Sequence, residues 1–403
     1  MGTVRLNARR LRSAAVGALM LGVLLVVGVA GPAGAASSAS AGASSSASPS
    51  TAHEGDLLRC ALTVQLEMAN GLYGEPVDAS LVFDDASGRY AIDPGRPRGA
   101  YDVDRAVALV ERAVESGRLS VALDSCRESQ RRAADDPALI AACEQANTCL
   151  KSAFDLQVQG TTVASVDDAL VRGWICVDDE LNVSLDERAV ALWVDGVEAA
   201  VDNVGGTRTY LRPDGKEVTV SGGTYGWVSH GAETEQLVLD RVSQGFAGAV
   251  EIPMKQQAAV YNPGGADWGA RYVDVDLTEQ RARFYEADGS LVVETPIISG
   301  SVLEPGYATP EGVYAITGKQ LDVVLLGLPD PQTGEPSYET HVDYWMPFVG
   351  NMVGLHDADW QTWWSPEAYR SGAGSHGCVN MPPDTAAWAY DWVEVGTPVV
   401  VHS

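Results

Sequence analysis

Beyond residue 54, apolar and polar positions alternate with helical or strand spacing. Valines spaced by four, three and four residues follow Asp102 and precede Gly117, which predicts a capped amphipathic helix with one apolar face. Alternating apolar residues over 119–123 predict a strand. Further helices are predicted to begin at Asp136-Pro137 and at Asp186.

The pattern changes near Trp268. Apolar residues over 272–277 are interleaved with aspartates, as in a strand, and an Asp288-Gly289 turn between two apolar segments predicts a hairpin. The segment 222–227, Gly-Gly-Thr-Tyr-Gly-Trp, lies among strand and turn signals ahead of this change. The chain is therefore predicted to be multidomain, with a mainly β, sandwich-like C-terminal domain and α+β modules before it.

The first residues have the layout of an export signal. Arginines without acids are followed by an apolar run over 14–30 and by Ala33-Gly34-Ala35, a site suited to a signal peptidase. Cleavage after Ala35 is the favoured interpretation, and an uncleaved membrane anchor is the alternative. Residues 36–53 are rich in Ser and Ala and predict a flexible linker.

The net charge of the chain limits the classes of partner that it could bind. The chain of 403 residues has 54 Asp and Glu against 27 Lys and Arg, a formal net charge of −27. Because phosphate binding needs clustered basic side chains, this balance argues against a nucleic-acid partner. A solvated acidic surface is the simpler interpretation.

The cysteines divide into two groups. Five lie before residue 177 and Cys378 lies far beyond them, so in an exported protein we expect the first five to form two disulfides (Cys60, Cys126, Cys143, Cys149 and Cys176). Cys378 instead has His376 nearby in sequence and His356 upstream, which suits a thiol nucleophile activated by imidazole. A metal site built from these three residues is a weaker alternative, because it lacks a placed general base.

The surroundings of Cys378 match a known pattern. Ser375-His376-Gly377-Cys378-Val379-Asn380, with Gly354-Leu355-His356-Asp357 upstream, resembles the signature of the L,D-transpeptidase catalytic family of bacterial cell-wall enzymes. Segments at 309–314, 344–348 and 396–399 extend the resemblance over about 268–403. The pattern and composition divide the chain into a signal peptide or anchor (1–35), a linker (36–53), an α+β region (54–185), a connecting α+β module (186–267) and a C-terminal domain (268–403). The resemblance implies that 54–185 binds peptidoglycan and that 268–403 is the catalytic domain.

The resemblance implies roles for individual residues. Cys378 would attack the carbonyl of the third residue of a stem peptide and expel D-alanine. His356 comes from another segment and can be placed against the thiol, so we expect it to be the base, with its tautomer fixed by a backbone carbonyl near Asp357. His376 would position the thiolate or bind the oxyanion. The remaining expectations are loop-orienting or oxyanion-binding roles for Ser375, Gly377 and Asn380, an amide donor from Cys378 itself, and substrate contacts from Tyr344, Trp345 and Trp360.

The implied partners are a donor tetrapeptide and an acceptor amine of peptidoglycan, with no metal and no cofactor. An L,D-carboxypeptidase would use water in place of the amine, and a catalytically silent wall-binding protein is a third alternative. A papain-like peptidase is disfavoured, because the sequence around the cysteine lacks that family's pattern. The expected location is extracytoplasmic, either secreted, associated with the cell wall or held by the N-terminal segment.

Overall fold

The computed structural model describes residues 3–5, 24–26, 51–118, 120–327, 329 and 332–403. Most of the predicted signal (1–35) and linker (36–53) lies outside the described residues. Within the described part, no helix is long and apolar enough to cross a membrane. The chain divides into two compact units, residues 1–147 with 177–183, and residues 148–176 with 184–403. The domain boundaries predicted at 185/186 and 267/268 both lie inside the second unit, and they stay a prediction.

Helices and short antiparallel strand pairs form the first unit. Asp102 caps the second helix by accepting a hydrogen bond from the amide of Arg105, as its position predicted, and Val107 and Val110 are buried against Leu62 and Leu66 of the first helix. The elements are β1 (Thr3–Arg5), β2 (Leu24–Val26), α1 (Thr51–Asn70), β3 (Ser80–Asp84), β4 (Arg89–Asp93), β5 (Arg98–Tyr101), α2 (Val103–Glu115), β6 (Ser120–Ala122), β7 (Arg127–Ser129) and α3 (Pro137–Cys149).

The second unit begins with an α+β half. Strand β15 pairs in parallel with β8, and β8 pairs with β9; helices α5 and α6 contribute valines to the apolar core of this half. Asp186 caps α5, so the helix predicted there is confirmed. The elements are β8 (Ala153–Val158), β9 (Thr161–Val166), α4 (Asp168–Trp174), β10 (Ile175–Val177), β11 (Val183–Leu185), α5 (Glu187–Val201), β12 (Thr207–Leu211), β13 (Glu217–Ser221), β14 (Val228–Ser229), α6 (Gly231–Ser243), β15 (Ala247–Glu251) and β16 (Met254–Gln256).

Two sheets form the rest of this unit and confirm the prediction of a mainly β C-terminal domain. One has the strand order β19-β18-β17-β25-β20, the other β21-β22-β23-β24, and a single apolar core takes residues from both. The elements are β17 (Tyr272–Asp276), β18 (Arg281–Tyr285), β19 (Leu291–Pro296), β20 (Gly312–Ala315), β21 (Gln320–Leu326), β22 (Glu339–Val349), β23 (Val353–Asp357), β24 (Val379–Met381), α7 (Pro383–Trp392) and β25 (Pro398–His402).

The glycine-rich segment 222–227 joins the two halves of this unit. Gly223 forms a parallel bridge with Val313 of β20, and the amides of Thr224 and Tyr225 donate to the Val313 carbonyl. Gly223 has a φ of +90° and a β-carbon there would overlap the Val313 backbone, so only glycine allows this approach. The segment 222–227 therefore links the α+β half of this unit to the two-sheet half by backbone hydrogen bonds.

The expected disulfides are absent. None of the six cysteines, all of which lie in the described part of the chain, forms a disulfide. Their environments explain the difference, since Cys126 and Cys149 lie in different apolar cores and Cys143 donates to the carbonyl of Tyr90. The prediction of two disulfides was based on an oxidising environment outside the cell and on the number of cysteines. Neither of these indicates how far apart the cysteines lie in the fold.

Candidate active site

Strand β23 carries the predicted base, His356, and the predicted nucleophile, Cys378, immediately precedes β24. The strands are parallel, with Leu355 paired to Val379 and His356 paired to Asn380. Leu355 and Val379 enter the core, so the alternation of side chains turns His356 to the opposite face. Trp345 joins the two groups on that face: its ring centroid is 5.9 Å from that of His356, and it clusters with Cys378.

His356 is held as a neutral base. Its Nδ1 lies 2.7 Å from the carbonyl oxygen of Asp357. Since a carbonyl only accepts, Nδ1 carries the proton and Nε2 keeps its lone pair. Burial lowers the pKa of His356 below its ordinary value, against the hydrogen bond to that carbonyl. The Asp357 carboxylate points elsewhere and accepts from the amide of Tyr344 at 2.8 Å.

Cys378 is a protonated thiol in an apolar setting. Its Sγ donates to the Met352 carbonyl at 3.7 Å, and Val342 and Trp345 pack beside it. Burial raises the pKa of the Cys378 thiol to about 11, although the backbone amide of Gly354 opposes the shift. The resting site thus keeps both the thiol and the imidazole uncharged.

His376 contacts two tyrosine rings. Its ring lies 4.3 Å from that of Tyr338 in a stacked arrangement and 4.4 Å from that of Tyr307 edge-on. Burial raises the pKa of Tyr338 above its ordinary value. His376 is thus a surface residue fixed between aromatic side chains.

Residues 374–380, the nucleophile loop, are ordered by hydroxyl groups. Ser375 Oγ donates to the Cys378 carbonyl at 2.6 Å and accepts from the Gly377 amide at 3.1 Å. Thr309 Oγ1 donates to the Gly377 carbonyl at 2.8 Å. Ser375 therefore bonds to two backbone groups of the loop, and its loop-orienting role stays a prediction. The Gly377 amide, expected to serve an oxyanion, is satisfied by Ser375 in this conformation.

The remaining predicted site residues differ in whether they lie near His356 or among the core side chains. Trp360 is exposed and its ring centroid is 6.0 Å from that of His356, whereas Trp345 is buried. Tyr344 lies with the core side chains and contacts Tyr390 of α7, so the structure does not bring it to the site. Asn380 is buried and its Oδ1 has no hydrogen-bond partner.

Sequence reasoning missed four contributors to the site. Tyr307 and Tyr338 contact His376 from two separate loops, and no spacing in the sequence connects them with it. Met352 contributes only a carbonyl, which any residue could supply. Thr309 lies at the start of a segment that carried the family resemblance, so a signal for it was present. Across the described residues, no group of three or more His, Cys, Asp and Glu side chains could hold a metal ion.

Comparison with known proteins agrees with this geometry. Residues 270–401 match the family YkuD, the L,D-transpeptidase catalytic domain. The probable L,D-transpeptidase 3 of Mycobacterium tuberculosis is 30% identical over 115 residues, which cover 27% of this chain and 40% of that protein. The chain thus matches less than half the length of that relative.

Two solved structures are similar over a longer stretch. The crystal structure of a cysteine-to-serine mutant of Enterococcus faecium L,D-transpeptidase is 27% identical, with a TM-score of 0.53, and the match covers 65% of this chain and 98% of that one. The Ldtfm–avibactam carbamoyl enzyme is 28% identical, with a TM-score of 0.54, over 66% of this chain and 99% of that one. Because the family match takes up only about a third of this chain, the likeness extends well ahead of residue 270.

Proposed function

We propose that this chain, whose residues 270–401 form an L,D-transpeptidase catalytic domain, is an exported enzyme that cross-links peptidoglycan stem peptides through Cys378. The observation that carries the proposal is that a thiol and a tautomer-fixed imidazole lie on one sheet face, each beside Trp345. A nucleophile and a base oriented by a third group are the arrangement that acyl transfer needs.

The first half-reaction forms a thioester. As Cys378 Sγ bonds to the carbonyl carbon of the third stem residue, its proton passes to Nε2 of His356. The oxyanion of the tetrahedral intermediate would accept hydrogen bonds from the Cys378 amide and from His376. Collapse breaks the peptide C–N bond, and the proton on Nε2 goes to the amine of the leaving D-alanine.

The second half-reaction transfers the acyl group. The acceptor amine of another stem bonds to the thioester carbon while Nε2 of His356 takes its proton. The C–S bond then breaks, and that proton returns to sulfur, which regenerates the free thiol. Because neither group is charged at rest, each proton moves together with the bond that forms.

The neighbouring structures support covalent chemistry of this kind. The Ldtfm neighbour forms a carbamoyl enzyme with avibactam, so a domain of this fold accepts an acyl-type group covalently. The basic, apolar and small-residue order of the N-terminus supports export. We therefore place the enzyme outside the cytoplasm, at the cell wall.

Purified full-length protein incubated with disaccharide tetrapeptides tests the proposal. Cross-linked dimers together with free D-alanine are expected, and the Cys378→Ala variant should give neither. Tripeptide monomers without dimers would replace the transpeptidase by the L,D-carboxypeptidase. Mass spectrometry after treatment with imipenem should show one adduct on Cys378; folded protein without an adduct would favour the silent wall-binding protein.

A further inference from the structure

Gln280 is a buried side chain with an unusual backbone. It lies in the turn between β17 and β18, is 2% exposed and has a φ of +50°. L residues with side chains rarely adopt this left-handed region, and glycine would adopt it at less cost. A buried glutamine therefore occupies a position where the backbone alone would favour glycine.

The Gln280 side chain forms hydrogen bonds to Ser299 and to Leu277. Its Oε1 accepts from the Ser299 amide at 3.0 Å, and its Nε2 donates to Ser299 Oγ at 2.9 Å and to the Leu277 carbonyl at 2.7 Å. The amide and carbonyl groups of the glutamine are thus both used. Ser299 belongs to the segment that follows β19, so this contact joins two loops that are distant in sequence.

Ser299 in turn holds the nucleophile loop. Its carbonyl accepts from the Ser375 amide at 3.1 Å, while the Ser301 amide donates back to the Ser375 carbonyl at 2.9 Å. Ser375 Oγ then donates to the Cys378 carbonyl. Gln280 is therefore connected to the backbone of the nucleophile through two intermediate serines.

Asp276 stabilises the turn that carries Gln280. The Asp276 carboxylate accepts from the amides of Thr278 and Glu279 at 3.0 and 2.8 Å, which closes the turn. The same carboxylate accepts from Lys216 Nζ at 2.6 Å and from Arg212 Nη1 at 3.1 Å. Both basic residues belong to the β12–β13 hairpin region of the preceding half.

We propose that Gln280 is a positioning residue for Cys378: it fixes Ser299, and through Ser375 the backbone of the nucleophile loop, in the geometry for attack. This inference rests on the proposed function for its kinetic consequence. Its structural consequence, an ordered nucleophile loop, can be measured without any turnover.

The variants to compare are Gln280→Met and, as a control for loss of a tether at an exposed position, Gln159→Met in the full chain. Gln159 also has a left-handed φ, of +48°, in a turn between antiparallel strands, and it also ties a distant loop, through the Ala259 carbonyl and the Tyr261 amide. That loop lies in the preceding half. Methionine keeps the length of the side chain and removes its hydrogen bonds, so Gln159→Met controls for the loss of a tether as such.

Two readouts separate the possible results. Hydrogen exchange of the peptide spanning 371–381 should become faster in Gln280→Met and stay unchanged in Gln159→Met. The kcat for release of D-alanine should fall about ten- to a hundredfold in Gln280→Met with less than a threefold change in KM, because a misplaced nucleophile affects the reaction more than binding.

Unchanged exchange at 371–381, or equal kinetic losses in the two variants, would overturn the positioning role. If the wild-type protein released no D-alanine, the proposed function would fail, and the exchange result would still decide whether Gln280 orders the loop.

Discussion

Two clusters of buried polar side chains in the second unit differ in their charge state. Around His356 and Cys378 the neighbours are mostly aromatic and aliphatic, and burial shifts the pKa of both groups toward their uncharged forms. The junction cluster (Arg212, Lys216, Asp274, Asp276 and Arg283) joins the five-stranded sheet to the β12–β13 hairpin. All of its members except Lys216 are buried, yet they are paired as ions.

The junction cluster shows what partners do to a buried charge. Burial by itself would raise the pKa of Asp276, but hydrogen bonds from Lys216 and from the Glu279 amide lower it below its ordinary value. Burial likewise opposes the charge of Arg212, but Asp214 and Asp274 raise its pKa. Burial therefore favours the uncharged form of a group where no opposite charge lies beside it, as at His356 and Cys378. Where opposite charges do lie beside it, as in the junction cluster, the charged form is favoured instead.

The largest expected effect is at the uncharged site. His356→Ala removes the proposed proton acceptor, so the rate of imipenem acylation at Cys378 should fall about a hundred- to ten-thousandfold. Stopped-flow acylation of the purified variant measures the effect, and thermal unfolding should confirm that the variant is folded. Acylation within a factor of two of wild type would show that the imidazole takes no part in proton transfer.

Arg212→Met tests the charged cluster. Two buried carboxylates would lose a partner, and the free energy of unfolding should decrease by about 3–5 kcal/mol, since breaking a buried pair leaves uncompensated charge. Arg59→Met breaks an exposed pair with Glu111 and should cost no more than about 1 kcal/mol. Chemical denaturation measures both. Equal losses in the two variants would mean that burial does not distinguish these ion pairs.

The pH dependence of acylation tests whether the site is uncharged at rest. Because the pKa of His356 is lowered, its imidazole stays neutral down to a pH below its usual value of 6.5, and acylation should rise with pH through that lowered pKa. The raised pKa of Cys378, about 11, means that the rate should then stay flat from pH 7 to 9. An increase centred on pH 8–9, where an ordinary thiol ionises, would indicate attack by a free thiolate instead.

The sequence was informative where a role is local. Asp102 and Asp186 cap helices as predicted, because a cap acts on amides only three residues away. His356 and Cys378 could be singled out because a reactive thiol needs an imidazole, whatever the fold. Gln280 and Tyr338 could not, since each acts on a residue that is distant in sequence. The expected disulfides were wrong for the same reason, because cysteine pairing depends on distances that only the fold sets.

The smallest expected effect concerns two aromatic residues that the sequence could not distinguish. Trp360 is exposed beside His356, so Trp360→Ala should raise KM for the tetrapeptide about two- to tenfold with little change in kcat. Tyr344 lies on the core face against Tyr390, so Tyr344→Phe should leave both constants unchanged. Steady-state release of D-alanine measures both variants. The alternation of side chains in β22 and β23 places Tyr344 on the core face, opposite to His356. A higher KM in Tyr344→Phe would contradict this assignment of faces.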